Sequence, residues 1–494
     1  MTALVEMPAR ELRALIGRKQ VSPVELVDAC LDRIDEINPV VNAVVALDRE
    51  RARDAALRAE QAVMSGAALG PLHGLPVLIK DLTDTAGLVT TRGSLVYRDW
   101  VPGADDIVPA RIRAAGGIIL GKTNTPEFGA GSNTVNRVYG ATVNPFDPAM
   151  SAAGSSGGAA AALACDMAPL ASGSDMGGSV RTPSSFCGVV GHRPSPGLVP
   201  RPLRRAGWST LSVDGPMARD VADASLLLAA MAGIDLGDPL SRDADAAAFL
   251  ALPAVDLASL RVAFSEDLGC APVARDVRDA FRDKARRLAP LFGRVEWVDP
   301  DMGPVHEAFE ALRGVDFIGA YGAYVDEHRA QACWPVVANV EQARSLTVEA
   351  VASAMAEQTA LYRRMQDFFG AFDLLICPSA SVAPFPVEDV AVAHIDGEAM
   401  ATYITWIAIT YALTLTTHPV TTIPCGPGPT GLPFGLQIAG PARADVWTLA
   451  AAAALEAAQA GDAALARPRP DIAALLAGRD RSKAGIVPHG LAAT

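Results

Sequence analysis

A chain of 494 residues, half of them hydrophobic, has ample material for one large core, and its length also admits two to four smaller domains. A formal charge of −13, with no Lys/Arg cluster interleaved with aromatics, argues against a nucleic-acid-binding surface, and the run Arg201-Pro202-Leu203-Arg204-Arg205 reads as a solvated loop. Seven scattered cysteines without metal-ligand spacing read as buried, reduced thiols of a cytoplasmic protein; there is no signal-peptide apolar stretch near the N-terminus and no apolar run of the roughly 18 residues a membrane span needs.

The chain opens on helices. Ser22-Pro23-Val24-Glu25 forms a capping box with Pro at the first helical position, followed by apolar spacing through Leu26, Cys30, Leu31 and Ile34. Glu50 to Met64 reads as a second helix, Val77 to Ile79 as a short strand, Pro109 to Ala115 as a short helix and Ile118 to Leu120 as another strand. Asn144 to Met150, with Pro145 and Pro148, cannot be a central strand. Asp220 caps an apolar helix through Met231, Val262 to Phe264 reads as a strand, and Asp276 to Leu291 as a polar-faced helix. Residues 301–372 are helix-rich and carry Phe309, Phe317, Tyr321, Tyr324 and Trp334. Asp373 to Cys377 reads as a buried strand, Thr421 to Ile423 and Pro433 to Ile438 as a strand pair, and Val446 to Ala460 as a closing helix. The tail beyond about residue 467 reads as loosely wrapped over the surface. Alternating helices and strands without a repeat or a long linker predict an α/β fold.

Chemistry concentrates between Ser151 and Arg193, where two Ser/Gly clusters flank an Ala-rich segment. Successive glycines let backbone N–H groups converge where a larger side chain would block them, and a serine at the end of such a turn has its hydroxyl beside an anion hole. A second signal lies outside that stretch. Only five basic residues are lysines, so a lysine on an apolar strand is conspicuous, and Lys80 in Gly74-Leu75-Pro76-Val77-Leu78-Ile79-Lys80-Asp81 is that residue. Lysine, unlike arginine, can lose its proton when desolvated and then serve as a base toward a serine hydroxyl. Blander readings stand beside these: Lys80 as an ion-pair partner of Asp81, Ser179 as a helix cap, and Ser155 and Ser156 as a tight turn before the helix Ala159 to Cys165.

Taken together, Gly154-Ser155-Ser156-Gly157-Gly158, Gly173-Ser174-Asp175-Met176-Gly177-Gly178-Ser179-Val180-Arg181 and Phe186-Cys187-Gly188-Val189-Val190-Gly191 resemble the amidase signature family. The resemblance extends to Gly74 through Asp81, Gly121-Lys122-Thr123-Asn124 through Phe128, and Gly431-Leu432-Pro433 through Ile438. It implies a single large α/β domain over residues 1–494, with a mixed central sheet covered by helices on both faces. The expected sections are N-terminal helices (1–70), a signature core (71–240), a variable pocket region (241–420), closing strands and helix (421–460) and a tail (461–494). It implies a triad of Lys80, Ser155 and Ser179, with a cis peptide bond at Gly154–Ser155. The implied oxyanion hole is formed by backbone N–H groups of Met176, Gly177, Gly178 and Ser179, with Ser156, Asp175 and Arg181 in support. The implied reaction is hydrolysis of a small-molecule amide through an acyl-enzyme, without metal or cofactor, by a chain acting alone or as a homodimer. Gly129 to Arg137 and residues 310–420 are expected to build the substrate pocket, whose aromatic and aliphatic residues point to aryl or hydrophobic amides, with carbamates and esters as side substrates. Three departures accompany the match: Ala153 before Gly154, Met176 in the nucleophile turn, and His192-Arg193 after the signature.

Three other readings compete. Gly154-Ser155-Ser156-Gly157-Gly158 also fits the G-x-S-x-G elbow of α/β-hydrolases with Ser156 as nucleophile, which needs a buried strand just upstream and a late histidine such as His394, His418 or His489. The amidase component of a tRNA-dependent amidotransferase would act on glutamine within a complex. A catalytically dead binding protein on the same fold is the third.

Overall fold

The structure is a computed structural model and describes residues 4–491. The first three residues of the expected helical N-terminal section and the last three of the expected tail lie outside the described residues. The predicted capping box forms: the Ser22 hydroxyl accepts the Val24 and Glu25 N–H groups, and the Glu25 carboxylate accepts the Ser22 N–H, opening the helix Pro23–Val41. The Asp220 side chain accepts the Asp223 N–H at the head of the helix Val221–Met231.

Eleven strands make the main sheet: β1 (Val44–Leu47), β2 (Pro76–Lys80), β3 (Ile118–Thr123), β4 (Leu170–Asp175), β5 (Val190–Arg193), β6 (Val213–Ala218), β7 (Arg261–Phe264), β8 (Arg294–Trp297), β9 (Leu374–Pro378), β10 (Val420–Pro427) and β11 (Pro433–Ala439). Their order is β1-β3-β2-β4-β6-β5-β10-β11-β9-β7-β8. The pairs β2–β3, β2–β4, β7–β9 and β7–β8 are parallel and the others antiparallel, so the sheet is mixed. The central strands β2, β4, β6 and β11 are buried along nearly their whole length; β2 reads accordingly as an apolar run, whereas β4 and β6, with Ser, Gly, Asp and Pro, carry no strand signal in the sequence. Helices flank the sheet, giving the expected single-domain α/β fold.

Asp147–Ser151 pairs with Val143–Asn144 in a separate two-stranded ladder and bridges at Met150 to Pro386, outside the main sheet, so no central strand precedes the Gly154–Gly158 turn. The elbow of an α/β-hydrolase is therefore missing. The tail corrects an expectation. The Ser482 hydroxyl donates to the Val40 carbonyl at 2.6 Å, Ala141 and Ile486 share a backbone bond of 2.8 Å, and Trp334 N–H reaches the Leu491 carbonyl at 3.1 Å. Pinned at three places, the tail is part of the fold. No helix among the described residues is long and apolar enough to cross a membrane.

Candidate active site

Lys80 is the last residue of β2, a central strand flanked by parallel neighbours, so its side chain leaves the carboxyl end of the sheet. Its neighbours arrive from two other elements. Ser155 and Ser156 lie just before the helix Gly157–Ala164, and Ser174 and Asp175 end β4. That helix is buried throughout and consists of Gly, Ala and one Leu, and its start has no room for a side chain: a Cβ on Gly158 would stand 2.4 Å from the Asn124 backbone nitrogen. The Gly154–Ser155 peptide bond is cis.

The Lys80 amine, on a side chain only 1% exposed, donates to Ser155 Oγ at 2.7 Å, Ser156 Oγ at 2.8 Å and Ser174 Oγ at 3.0 Å. Burial lowers its pKa to about 7, against the pull of Asp214 and Asp175 toward the charged form. Asp81 is not its partner. That carboxylate accepts the Thr91 N–H and hydroxyl, while its pKa rises to about 6 through burial, moderated by the charge of Lys122. Ser174 is the member of this cluster that sequence reasoning passed over. Its place beside Asp175 at a strand end inside a Ser/Gly run was the available signal.

Ser179 is half-buried, at the end of the Met176-Gly177-Gly178 turn, and lines the same cavity as Ser155 and Ser174. It does not cap the following helix Arg181–Phe186; Val180 holds that position, without a side-chain bond. The turn is braced by the fully buried Asp175 carboxylate, which accepts the Gly178 N–H at 3.0 Å and the Val180 N–H at 3.1 Å and is gripped by Arg181 through Nε at 3.0 Å and Nη2 at 2.9 Å. Arg193 adds a contact of 3.2 Å to the same carboxylate and donates to the Asp175 carbonyl at 2.7 Å. Burial alone would raise the Asp175 pKa, but the two guanidinium groups hold it well below the ordinary carboxylate range. Arg193, which in the sequence is only a departure from the family pattern, is thus part of this brace.

One oxyanion-hole expectation needs correcting. The Gly178 N–H points at Asp175 Oδ1, so it is not free for a developing oxyanion. The N–H groups of Met176, Gly177 and Ser179 have no hydrogen-bond partner among the described residues.

The cavity measures about 350 Å³. Its apolar lining includes Phe317, Tyr321, Ile404 and Ile407 from residues 310–420, with Phe128 and Phe309 each one residue ahead of an expected region; Gly129–Arg137 itself contributes Gly129, Gly131 and Ser132. Phe128 and Tyr321 stack with centroids 4.5 Å apart, and Phe309 stacks on Tyr411 at 4.3 Å. The lining also corrects the reading of Arg201–Arg205 as a solvated loop, because the segment forms part of the cavity rim. Arg201, Leu203, Arg204 and Arg205 all line the cavity, with Arg201 paired to Asp214 at 3.2 Å and Arg204 bonded to the Ser212 carbonyl at 3.1 Å. Charge content alone does not separate a cavity rim from bulk surface, because both keep guanidinium groups in contact with water.

Among the described residues, no group of three His, Cys, Asp or Glu side chains is placed to hold a metal ion. His418, one of the histidines an α/β-hydrolase would need, is buried against the Thr416 carbonyl and Gln366, and burial lowers its pKa to about 4.

Residues 25–449 match the family model described as Amidase. The chain belongs to the amidase signature family. It is 36% identical over 454 residues to an acylamidase of Rhodococcus erythropolis, covering 91% of this chain and 95% of that protein. It is 34% identical over 487 residues to a glutamyl-tRNA(Gln) amidotransferase subunit of Acidothermus cellulolyticus, covering 93% and 95%. The crystal structure of a bacterial aryl acylamidase of the amidase signature family superposes with a TM-score of 0.86 at 29% identity, covering 96% of this chain and 98% of that one. This family member is a hydrolase acting on amides.

Proposed function

We propose that the chain, as a single amidase domain over residues 1–494, cleaves its substrate by way of a Ser179 acyl-enzyme, with Lys80 as base and Ser155 as relay. The observation that carries this reading is the Lys80 amine, buried among three serine hydroxyls. As an ammonium it donates to all three; as a neutral amine it donates to two and has a lone pair for the third. The reaction begins when neutral Lys80 takes the Ser155 proton, Ser155 takes that of Ser179, and Ser179 Oγ attacks the carbonyl carbon. The free N–H groups of Met176, Gly177 and Ser179 stabilise the oxyanion. Collapse breaks the C–N bond as the relay returns a proton to the leaving nitrogen. Water then adds to the acyl ester, releasing the acid and restoring Ser179. Ser156 holds the lysine, and Asp175 and Arg181 hold the nucleophile turn.

The substrate class we propose is aryl or hydrophobic amides, with carbamates and esters as slower substrates. Supporting this are the aromatic wall of Phe128, Phe309, Phe317 and Tyr321 and the likeness to an acylamidase and an aryl acylamidase. The site's catalytic groups all come from one chain, so either a monomer or a homodimer could work. The seven free thiols, six of them buried, favour a cytoplasmic setting.

The test is a panel of p-nitroanilide, primary amide, carbamate and ester substrates with wild type and Ser179→Ala. Turnover that vanishes in the variant is expected. A folded wild type that turns over none of them, or an active Ser179→Ala, overturns the proposal. The likeness to an amidotransferase component favours a second reading, a glutaminase within a complex. Glutamine hydrolysis exceeding that of the anilides, with ATP-dependent transfer on adding a partner, would establish it instead.

A further inference from the structure

Gly177 and Gly178 are the two most freely rotating residues of the nucleophile turn, yet the peptide plane between them is held at both ends. At one end the Gly178 N–H donates to Asp175 Oδ1 at 3.0 Å. At the other end the Gly177 carbonyl accepts the hydroxyl of Thr410 at 2.5 Å. Thr410 lies 233 residues away on the helix Ala408–Leu415, is fully buried, and takes no part in the signature.

We infer that Thr410 is a positioning residue for the oxyanion hole: its hydroxyl fixes the Gly177–Gly178 peptide plane and thereby the direction of the N–H groups on either side. The inference rests on the acyl-enzyme reading above. In a trans peptide the carbonyl and N–H point in opposite directions, so holding both leaves the plane no freedom to rotate. The neighbouring N–H groups, of Gly177 and Ser179, swing from this plane and are the ones without a protein partner. Gly178 has φ +118°, a conformation that glycine adopts without strain and in which it lacks a side chain to restrict it. A Cβ there would stand 2.3 Å from Thr410 Oγ1, so the threonine occupies the space the glycine leaves open.

Thr410 is joined to the rest of the brace through its main chain. Arg181, which grips Asp175, donates through Nη1 to the Thr410 carbonyl at 2.7 Å and to Gln437 Oε1 at 2.7 Å, and through Nη2 to Thr414 Oγ1 at 2.8 Å. A change of the Thr410 side chain therefore leaves the arginine contacts available. The hydroxyl has a second acceptor, the Ile407 carbonyl one turn back at 2.8 Å, but a hydroxyl has one proton, and the Gly177 carbonyl is the nearer.

The test uses the full chain and an anilide that wild type hydrolyses. Thr410→Val keeps the shape and removes the donor; Thr410→Ser keeps the donor and removes a methyl group. Thr410→Val is expected to lower kcat by about 10- to 100-fold, less than the loss of a whole oxyanion donor, with KM within about twofold. Its affinity for a trifluoromethyl ketone, which forms the tetrahedral oxyanion, should fall by a similar factor. Affinity for a substrate-shaped ketone that stays trigonal should hold, and Thr410→Ser should recover most of kcat. An unchanged kcat in folded Thr410→Val overturns the inference. Equal losses of both ketones do so as well, since they mark general damage to the pocket. If Thr410→Val does not fold, Thr410→Ser decides: retained kcat and retained trifluoromethyl ketone affinity support the hydroxyl's role, and loss of both overturns it. A wild type inactive on every substrate would instead sink the acyl-enzyme reading itself.

Discussion

The Lys80 amine and the Ser155 hydroxyl stand 2.7 Å apart, and among the described residues no carboxylate pairs with that lysine. An unpaired buried ammonium is costly, so the environment favours the neutral amine and the pKa sits at about 7 instead of 10.5. The neutral form is the one able to accept the Ser155 proton. Activity should therefore rise with pH: kcat/KM on an uncharged anilide climbs about tenfold per unit below pH 7 and levels off by about pH 8. A pH–rate profile checks this, and a flat or falling profile between about pH 5.5 and 8 contradicts it.

Replacing the base tests the same relationship by another route. Arginine keeps the positive charge but does not give up its proton in a protein. Lys80→Arg is expected to lose about 10²- to 10⁴-fold in kcat/KM, the range general-base catalysis supplies. Lys80→Met, which fills similar space without a nitrogen, should be just as impaired. Melting curves run alongside show whether the loss is chemical. Either variant at near wild-type activity would leave Lys80 a structural residue.

Asp175 concerns stability as well as rate. It is the shared counter-charge of Arg181 and Arg193, and all three side chains are buried. Asp175→Asn keeps the shape but leaves two guanidinium groups without their carboxylate, a kind of change that costs about 3–5 kcal/mol in a buried pair. Urea unfolding should show that loss as a lower midpoint at nearly unchanged slope. The turn holding Ser179 loosens with it, so kcat should fall even where the protein remains folded. A midpoint matching wild type would mean that the two arginines are satisfied by their other acceptors, the Thr410 and Asp175 carbonyls and Gln437.

Elements with local causes were legible in the sequence. The Ser22 capping box, the Asp220 cap and the apolar run of β2 each depend on residues within a few positions of one another. The Ser/Gly clusters and Lys80 were legible for another reason: glycines in succession and a lysine on an apolar strand are expensive patterns that a chain rarely adopts without use. What stayed hidden depends on distant contacts. Nothing near Thr410 signals that its hydroxyl meets Gly177, and nothing near Arg193 signals that it braces Asp175. The place of the Arg201–Arg205 loop on the cavity rim is not legible, because its composition suits open solvent and a rim equally well. A backbone donor carries no mark in the sequence of where it points, so the Gly178 N–H, held by Asp175, is indistinguishable there from its free neighbours.

The apolar wall gives a prediction about selectivity. Phe128 is packed from two sides by the helix Val305–His328, stacked on Tyr321 at 4.5 Å and edge-on to Tyr324 at 4.7 Å. Tyr324 is itself anchored, donating to Glu127 Oε1 at 2.8 Å, while Glu127 Oε2 accepts the Cys333 N–H at 2.6 Å. Tyr321→Ala therefore removes one aromatic face from the cavity while Tyr324 still holds Phe128 in place. An aromatic contact is worth about 0.5–1.5 kcal/mol beyond the area it buries, so kcat/KM for an aryl amide should fall by roughly tenfold relative to that for an aliphatic amide of similar size. The ratio of the two constants is the measurement, because it cancels any change in the amount of active enzyme. If both fall together, Tyr321 supports the wall without meeting the substrate. A falling ratio places the aryl group against Phe128 and Tyr321, in the aromatic part of the cavity.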